Sequence, residues 1–197
     1  MTLNSFVIII VNMKIVLQIK LLPDETKYAA LKGTMRVFNE ACNYIAEVAF
    51  REQCASKFVL QKLVYDKVRK QFGLSAQLTI RAIAKVVEAY KRDKSKPCFF
   101  KPTGAVVYDQ RILSFKGLEA ASILTLQGRL TVAMQMGDYQ RVQFGRGHGQ
   151  ADLVLVDGVF YLLLVIETPT APQSCMTTLC PLRPVRPYQQ TPQIPYG

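Results

Sequence analysis

With 197 residues, half of them hydrophobic, the chain is long enough to bury one large core or two small ones. Its formal charge of +11 is concentrated: residues 24–96 hold 15 Lys and Arg against 8 Asp and Glu, while residues 97–168 hold 6 of each. A basic block beside a neutral one points to a polyanion, nucleic acid above all. Five cysteines without paired spacing argue against a disulfide framework and for a reduced, cytoplasmic chain.

The apolar run Phe6–Val11 is too short to span a bilayer, and no positive stretch precedes it and no small-residue cleavage site follows. Residues 1–12 read as an upstream extension of the reading frame, and no membrane partner is expected. Met13, Ile15, Leu17, Ile19 and Leu21 then alternate with Lys14, Val16, Gln18 and Lys20, the period of a half-buried strand ended by Pro23 and Asp24. Asp24 is placed to cap a helix. Tyr28, Leu31, Met35, Phe38, Cys42, Ile45 and Ala49 form its apolar stripe, with Lys32, Arg36, Asn39 and Asn43 on the other side. A second helix is expected over Lys57–Phe72, with Leu60, Leu63, Val64 and Val68 as core, Lys62, Lys67, Arg69 and Lys70 as basic residues and Gly73 as C-cap. Ser75 caps a third helix to about Asp93. There Ile80, Ile83, Ala84, Val87 and Tyr90 face inward, and Gln77, Arg81, Lys85, Glu88 and Arg92 form a polar stripe.

Lys94–Pro102 is a basic linker, after which the texture turns to short strands: Val106–Tyr108, Arg111–Phe115, Ile123–Leu126, Arg129–Ala133, Asp152–Val156 and Val159–Ile166. Asp157–Gly158 signals a type I′ hairpin. The lone strand at 13–21 has only this later sheet to pair with. The expected fold class is therefore α+β: a small antiparallel β-barrel, residues 1–23 and 97–168, interrupted after its first strand by a three-helix insertion, residues 24–96. Residues 169–197, rich in proline and without an acidic residue, read as an irregular tail.

Catalytic chemistry is not visible in this pattern. The single histidine, His148, sits in the glycine-rich loop Gly145–Gly149, and no Ser-His-Asp or Cys-His constellation can be assembled. Asp138, Asp152 and Asp157 read as turn residues and Glu167 as a strand end, so no metal or other cofactor is expected. Nucleic-acid contacts fit better. Gln77, Arg81 and Lys85 share a helix face with the chemistry to enter a groove, as do Asn39 and Asn43, with Arg36, Lys67 and Lys70 for phosphates. Tyr108 and Phe99–Phe100 are candidate stacking residues, or core.

The order of segments carries a resemblance. KIVLQIKLLP and FNEACNYIAE are followed by LSAQLTIRAIAKVVEAYKRD, FKPTGAVVYDQRILSF, LTLQGRLTV and HGQADLVLVDGVFYLLLVIETP. Over residues 13–169 this series resembles the N-terminal half of TnpB/OrfB-type proteins, the transposon-encoded RNA-guided nucleases related to type V CRISPR effectors. The resemblance implies a wedge-like barrel interrupted by a helical recognition domain, with guide-type RNA and double-stranded DNA as partners. It also implies that Gln77 and Arg81 lie at the DNA-reading helix, and that Tyr108 to Arg111, with Tyr108, Gln110 and Arg111 as contacts, lie on the barrel face near the nucleic acid. In the family, ETP leads to a GVDxG strand that opens a RuvC-like nuclease domain. Here Glu167-Thr168-Pro169 runs into TAPQSCMTTLC, so a nuclease half is expected to be absent and DNA cleavage with it. The second reading is a decayed gene product, a structural or interaction domain without a specific ligand. The oligomeric state stays open.

Overall fold

A computed structural model describes residues 12–145 and 150–169. Strand β1 (Asn12–Leu22) leads into α1 (Glu25–Arg51), α2 (Lys57–Phe72) and α3 (Ala76–Arg92). Strands β2 (Val106–Tyr108), β3 (Leu113–Lys116), β4 (Ala120–Thr125) and β5 (Gly128–Gln135) follow, then α4 (Asp138–Phe144), β6 (Ala151–Val156) and β7 (Val159–Pro169). All seven strands pair antiparallel in one sheet, in the order β2-β6-β7-β1-β5-β4-β3. The expected architecture holds: β1 pairs with β7 on one side and β5 on the other, and the helices are inserted behind it.

Chain length forces the sheet to curl. Its end strands, β2 and β3, are consecutive in sequence, and only residues 109–112 join them. Seven flat strands span about 29 Å across six spacings of about 4.8 Å. A link of five peptide steps reaches at most about 18 Å. The two ends must approach each other, and the sheet is a nearly closed barrel. Tyr108 on β2 confirms the approach: its hydroxyl donates to the Leu124 carbonyl on β4 at 3.0 Å.

The barrel interior holds Leu17, Ile19 and Leu21 from β1 and Phe160, Leu162, Leu164 and Ile166 from β7, all buried. Alternation puts Val16, Gln18 and Val165 outside. The helical core is the stripe Leu31, Met35, Phe38, Cys42, Ile45 and Ala49 of α1, facing Leu78, Ile83 and Val86 of α3. The caps form as expected. Asp24 accepts from the Lys27 N–H at 2.8 Å, Ser75 accepts from the Leu78 N–H at 3.3 Å, and Gly73 ends α2 in the left-handed region at φ 64°. Asp157 and Gly158 both have positive φ, 48° and 77°, as a type I′ turn requires.

Several details differ from expectation. On α3, Ile80 and Ala84 are only half-buried, because the helix turns Leu78, Ala82 and Val86 to the core instead. Asp152, read as a turn residue, lies within β6. Leu63 is 45% exposed rather than core, because α2 is covered on one side only and buries Leu60, Val64 and Val68. β3 starts at Leu113, since residues 109–112 are committed to the turn that joins β2 to it. Asp138, read as a turn residue, instead opens the helix α4 over residues 138–144. Asp138 lies in its first turn, Gln140 accepts from the Gly137 N–H at 2.8 Å, and Phe144 packs edge-on against Phe115 with centroids 4.9 Å apart. His148 and the tail at 170–197 lie outside the described residues.

Candidate nucleic-acid interface

An open groove of about 490 Å³ runs between the N-terminal half of α3 and the turn that follows β2. It is lined by Lys57, Gln77, Arg81, Gln110, Arg111 and Gln150, with Ile80 and Asp109 beneath. Residues 77 and 81 are one turn apart on α3, whose opposite side buries Leu78, Ala82 and Val86. Helical spacing alone therefore delivers Gln77 and Arg81 to the groove together.

Asp109 organises this groove. One carboxylate oxygen accepts from Arg81 Nε at 3.0 Å, from a terminal Arg81 nitrogen at 2.5 Å and from the Gln77 amide. The other accepts from the Arg111 backbone N–H at 3.0 Å, a side chain-to-backbone turn two residues long. The remaining Arg81 nitrogen donates to Gln150 at 3.2 Å, and Arg111 donates to the Gln77 carbonyl oxygen at 3.5 Å. Burial alone would raise the Asp109 pKa. The Arg81 guanidinium, the Arg111 N–H and the Gln77 amide outweigh it and hold the carboxyl below its ordinary value of 3.8. With Lys57, Arg81 and Arg111 around one carboxylate, the groove stays positive. Asp109 falls within the stretch Tyr108–Arg111 expected near the nucleic acid, but its organising role is visible only in the structure. Its signal was an Asp directly after a strand and two residues before an Arg, the pattern of an Asx turn.

The remaining candidates divide in two. Arg36, Lys67, Lys70, Gln110 and Arg111 are exposed, with Arg36 3.9 Å from Glu40 across one turn. Asn39, Asn43, Lys85 and Tyr108 correct the expectation. Asn39 is fully buried: its amide donates to the Met35 and Gly104 carbonyls, both at 2.8 Å, and its oxygen accepts from Lys85 Nζ at 2.9 Å. Asn43 accepts from the Phe100 N–H at 2.7 Å and donates to the Phe100 carbonyl at 3.0 Å, satisfying that residue as a strand neighbour would. Lys85 also donates to the Ala105 carbonyl at 2.5 Å and lies over the Phe100 ring at 5.0 Å. Burial lowers its pKa, and the Asp152 carboxylate opposes that shift. These residues face the connector at 97–105, not a ligand. They hold it to the helices because its backbone groups would otherwise be buried without partners. Tyr108 is fully buried inside the barrel, and burial raises its phenol pKa. Of the two neighbouring phenylalanines, Phe99 is exposed and Phe100 is half-buried beneath Lys85.

The start of α2 carries no pattern in the sequence that marks it as functional. Lys57 lines the groove, and the next residue, Phe58, projects into solvent. Among the described residues, no three His, Cys, Asp or Glu side chains gather as a metal site, and no helix is long and apolar enough to cross a membrane. The chain matches no protein-family model, and no curated protein matches it.

Proposed function

We propose that the protein binds nucleic acid through the groove between α3 and the 109–112 turn, as the RNA-gripping and duplex-reading part of a TnpB/OrfB-like protein. The carrying observation is the convergence of Gln77, Arg81 and Arg111 on Asp109, beside a helix with five cations and one acid. Asp109 holds the Arg81 guanidinium plane in one orientation, and a base edge or phosphate would take the place of Gln150 on its remaining nitrogen. Lys67 and Lys70 on α2 are solvated point charges suited to phosphates. Guide-type RNA and double-stranded DNA are the proposed partners.

The test is binding to a randomised duplex library, with and without structured RNA, across a salt series. The parent chain is expected to lose affinity steeply as salt rises. Arg81→Ala is expected to change which sequences are selected, by about 1–3 kcal/mol at the position it reads. Lys67→Ala is expected to weaken all sequences equally. Binding that is absent at low salt would remove the reading.

One observation favours a second function. The Arg81–Asp109 pair links α3 to the barrel and is largely shielded, its side chains 24% and 14% exposed. A purely structural clamp would behave differently in the same experiment: Arg81→Ala would lower stability and leave sequence selection untouched.

A further inference from the structure

Phe58 is 80% exposed in the first turn of α2, the most exposed of the large hydrophobic side chains among the described residues. It contributes nothing to the core, which α2 reaches through Leu60, Val64 and Val68. Spacings of four, three and four residues place Phe58, Lys62, Tyr65 and Arg69 on one stripe of the helix. Aromatic and cationic side chains therefore alternate along its length. The Arg69 guanidinium lies over the Tyr65 ring at 5.7 Å, so Tyr65 already has a cation on its face, whereas Phe58 stands clear at the end of the stripe. Phe58, Lys62 and Tyr65 border an open hollow of about 350 Å³ together with Gln61 and Asp66, the one acid of α2.

We propose that Phe58 is a stacking platform for an unpaired base of a nucleic-acid strand whose phosphates lie against Lys57 and Lys62. The proposal rests on the nucleic-acid reading above and adds a second contact to it. Every base presents a π-face, so an exposed ring holds a base without reading it, while lysines beside it neutralise the flanking phosphates. Five cations on α2 against a single acid select a polyanion over an apolar protein segment as the occupant. Lys57 also lines the groove of Arg81. A strand leaving the end of a duplex seated in that groove passes Phe58 at the next residue.

The chain contains no tryptophan, so Phe58→Trp introduces a unique fluorophore at the proposed contact. The probes are a blunt duplex and the same duplex carrying a short unpaired flank, each made in DNA and in RNA. The flanked probes are expected to quench the fluorescence of Phe58→Trp and to bind it as tightly as the parent. Phe58→Ala and Phe58→Leu are expected to lose about ten-fold in affinity for flanked probes and to bind blunt duplex unchanged. The DNA and RNA arms identify which strand uses the platform. If Phe58→Ala binds flanked probes like the parent, stacking is overturned while the groove reading stands. If Phe58→Leu retains full affinity, an apolar contact replaces the stacking one. If Phe58→Trp self-associates with a blue-shifted emission and no probe quenches it, the face is a protein contact and the proposal falls. If the parent binds no probe at low salt, the groove reading itself has failed, a result distinct from the other three.

Discussion

Asn39 shows how a polar residue can sit on the apparent outer side of a helix and still be core. Its amide and the Lys85 ammonium satisfy each other and three backbone carbonyls between them. Asn39→Ala removes one of the hydrogen-bond partners of Lys85 and the side-chain donor of the Gly104 carbonyl, and is expected to cost about 2–4 kcal/mol in urea unfolding. The connector comes so close that a Cβ at Gly104 would stand 3.0 Å from the Asn39 amide oxygen, which accounts for glycine there. None of this was legible in the sequence. Period 3.6 tells which residues share a face, not what covers it, and a connector of irregular backbone has no period of its own. Asp109 gives a pH signature. Its folded pKa is depressed, so the stabilisation is present above 3.8 and is lost as pH falls through the lower folded value. Asp109→Asn is expected to be less stable than the parent by about 1–3 kcal/mol near neutral pH. That gap should narrow below pH 3.8 and close once the folded carboxyl is protonated. Acid titrations of both proteins, followed by circular dichroism, measure it. Cys42 offers a third check. Burial pushes its thiol up to about 12, whereas Cys54 and Cys98 are only half-buried. Brief alkylation of the native protein followed by peptide mass mapping is expected to label Cys54 and Cys98 and spare Cys42.

The elements were legible in proportion to their length. Helix α1 repeats its apolar stripe through 27 residues, and β1 alternates over 11, so both stand out from the sequence alone. Helix α4 has seven residues, two turns at most, too few for a helical period to separate from a turn. It forms because Gln140 caps its start locally and Phe144 finds Phe115, a tertiary contact that no local pattern announces. The β6–β7 turn was readable from two residues because a type I′ geometry admits so few others. Gly158 sits at φ 77° with open space where a Cβ would be, so the cost of a side chain there is purely conformational. Gly158→Ala is expected to destabilise the protein by about 1–2 kcal/mol without altering the groove, as thermal unfolding with the strand spectrum retained would show.

At the scale of the whole molecule, the asymmetric charge has a structural address. The five cations of α2 and those of the groove meet at its N-terminal end, where Lys57 belongs to both surfaces. The barrel supplies the rigid wall. Its turn at 109–112 carries Asp109 and Arg111, and its curl brings that turn against α3. The charge surplus and the existence of an insertion could be read from composition and pattern. The pairing of Arg81 with Asp109 could not, because it joins two segments 28 residues apart whose separate periods say nothing of each other. The position of β1 has a kinetic consequence. Its neighbours are residues 133–135 of β5 and 161–169 of β7, so both ladders join segments more than a hundred residues apart, and the longer one needs nearly the whole described chain in place. Closing so long a loop costs entropy before any ladder bond repays it, whereas α1, α2 and α3 are joined by short links and pack locally. Refolding is therefore expected in two stages. In pulsed hydrogen exchange the amides of α1 and α3 should gain protection first, and those of β1 should join β7 last. The long separation that makes this barrel one sheet also makes its first strand the slowest to find its place.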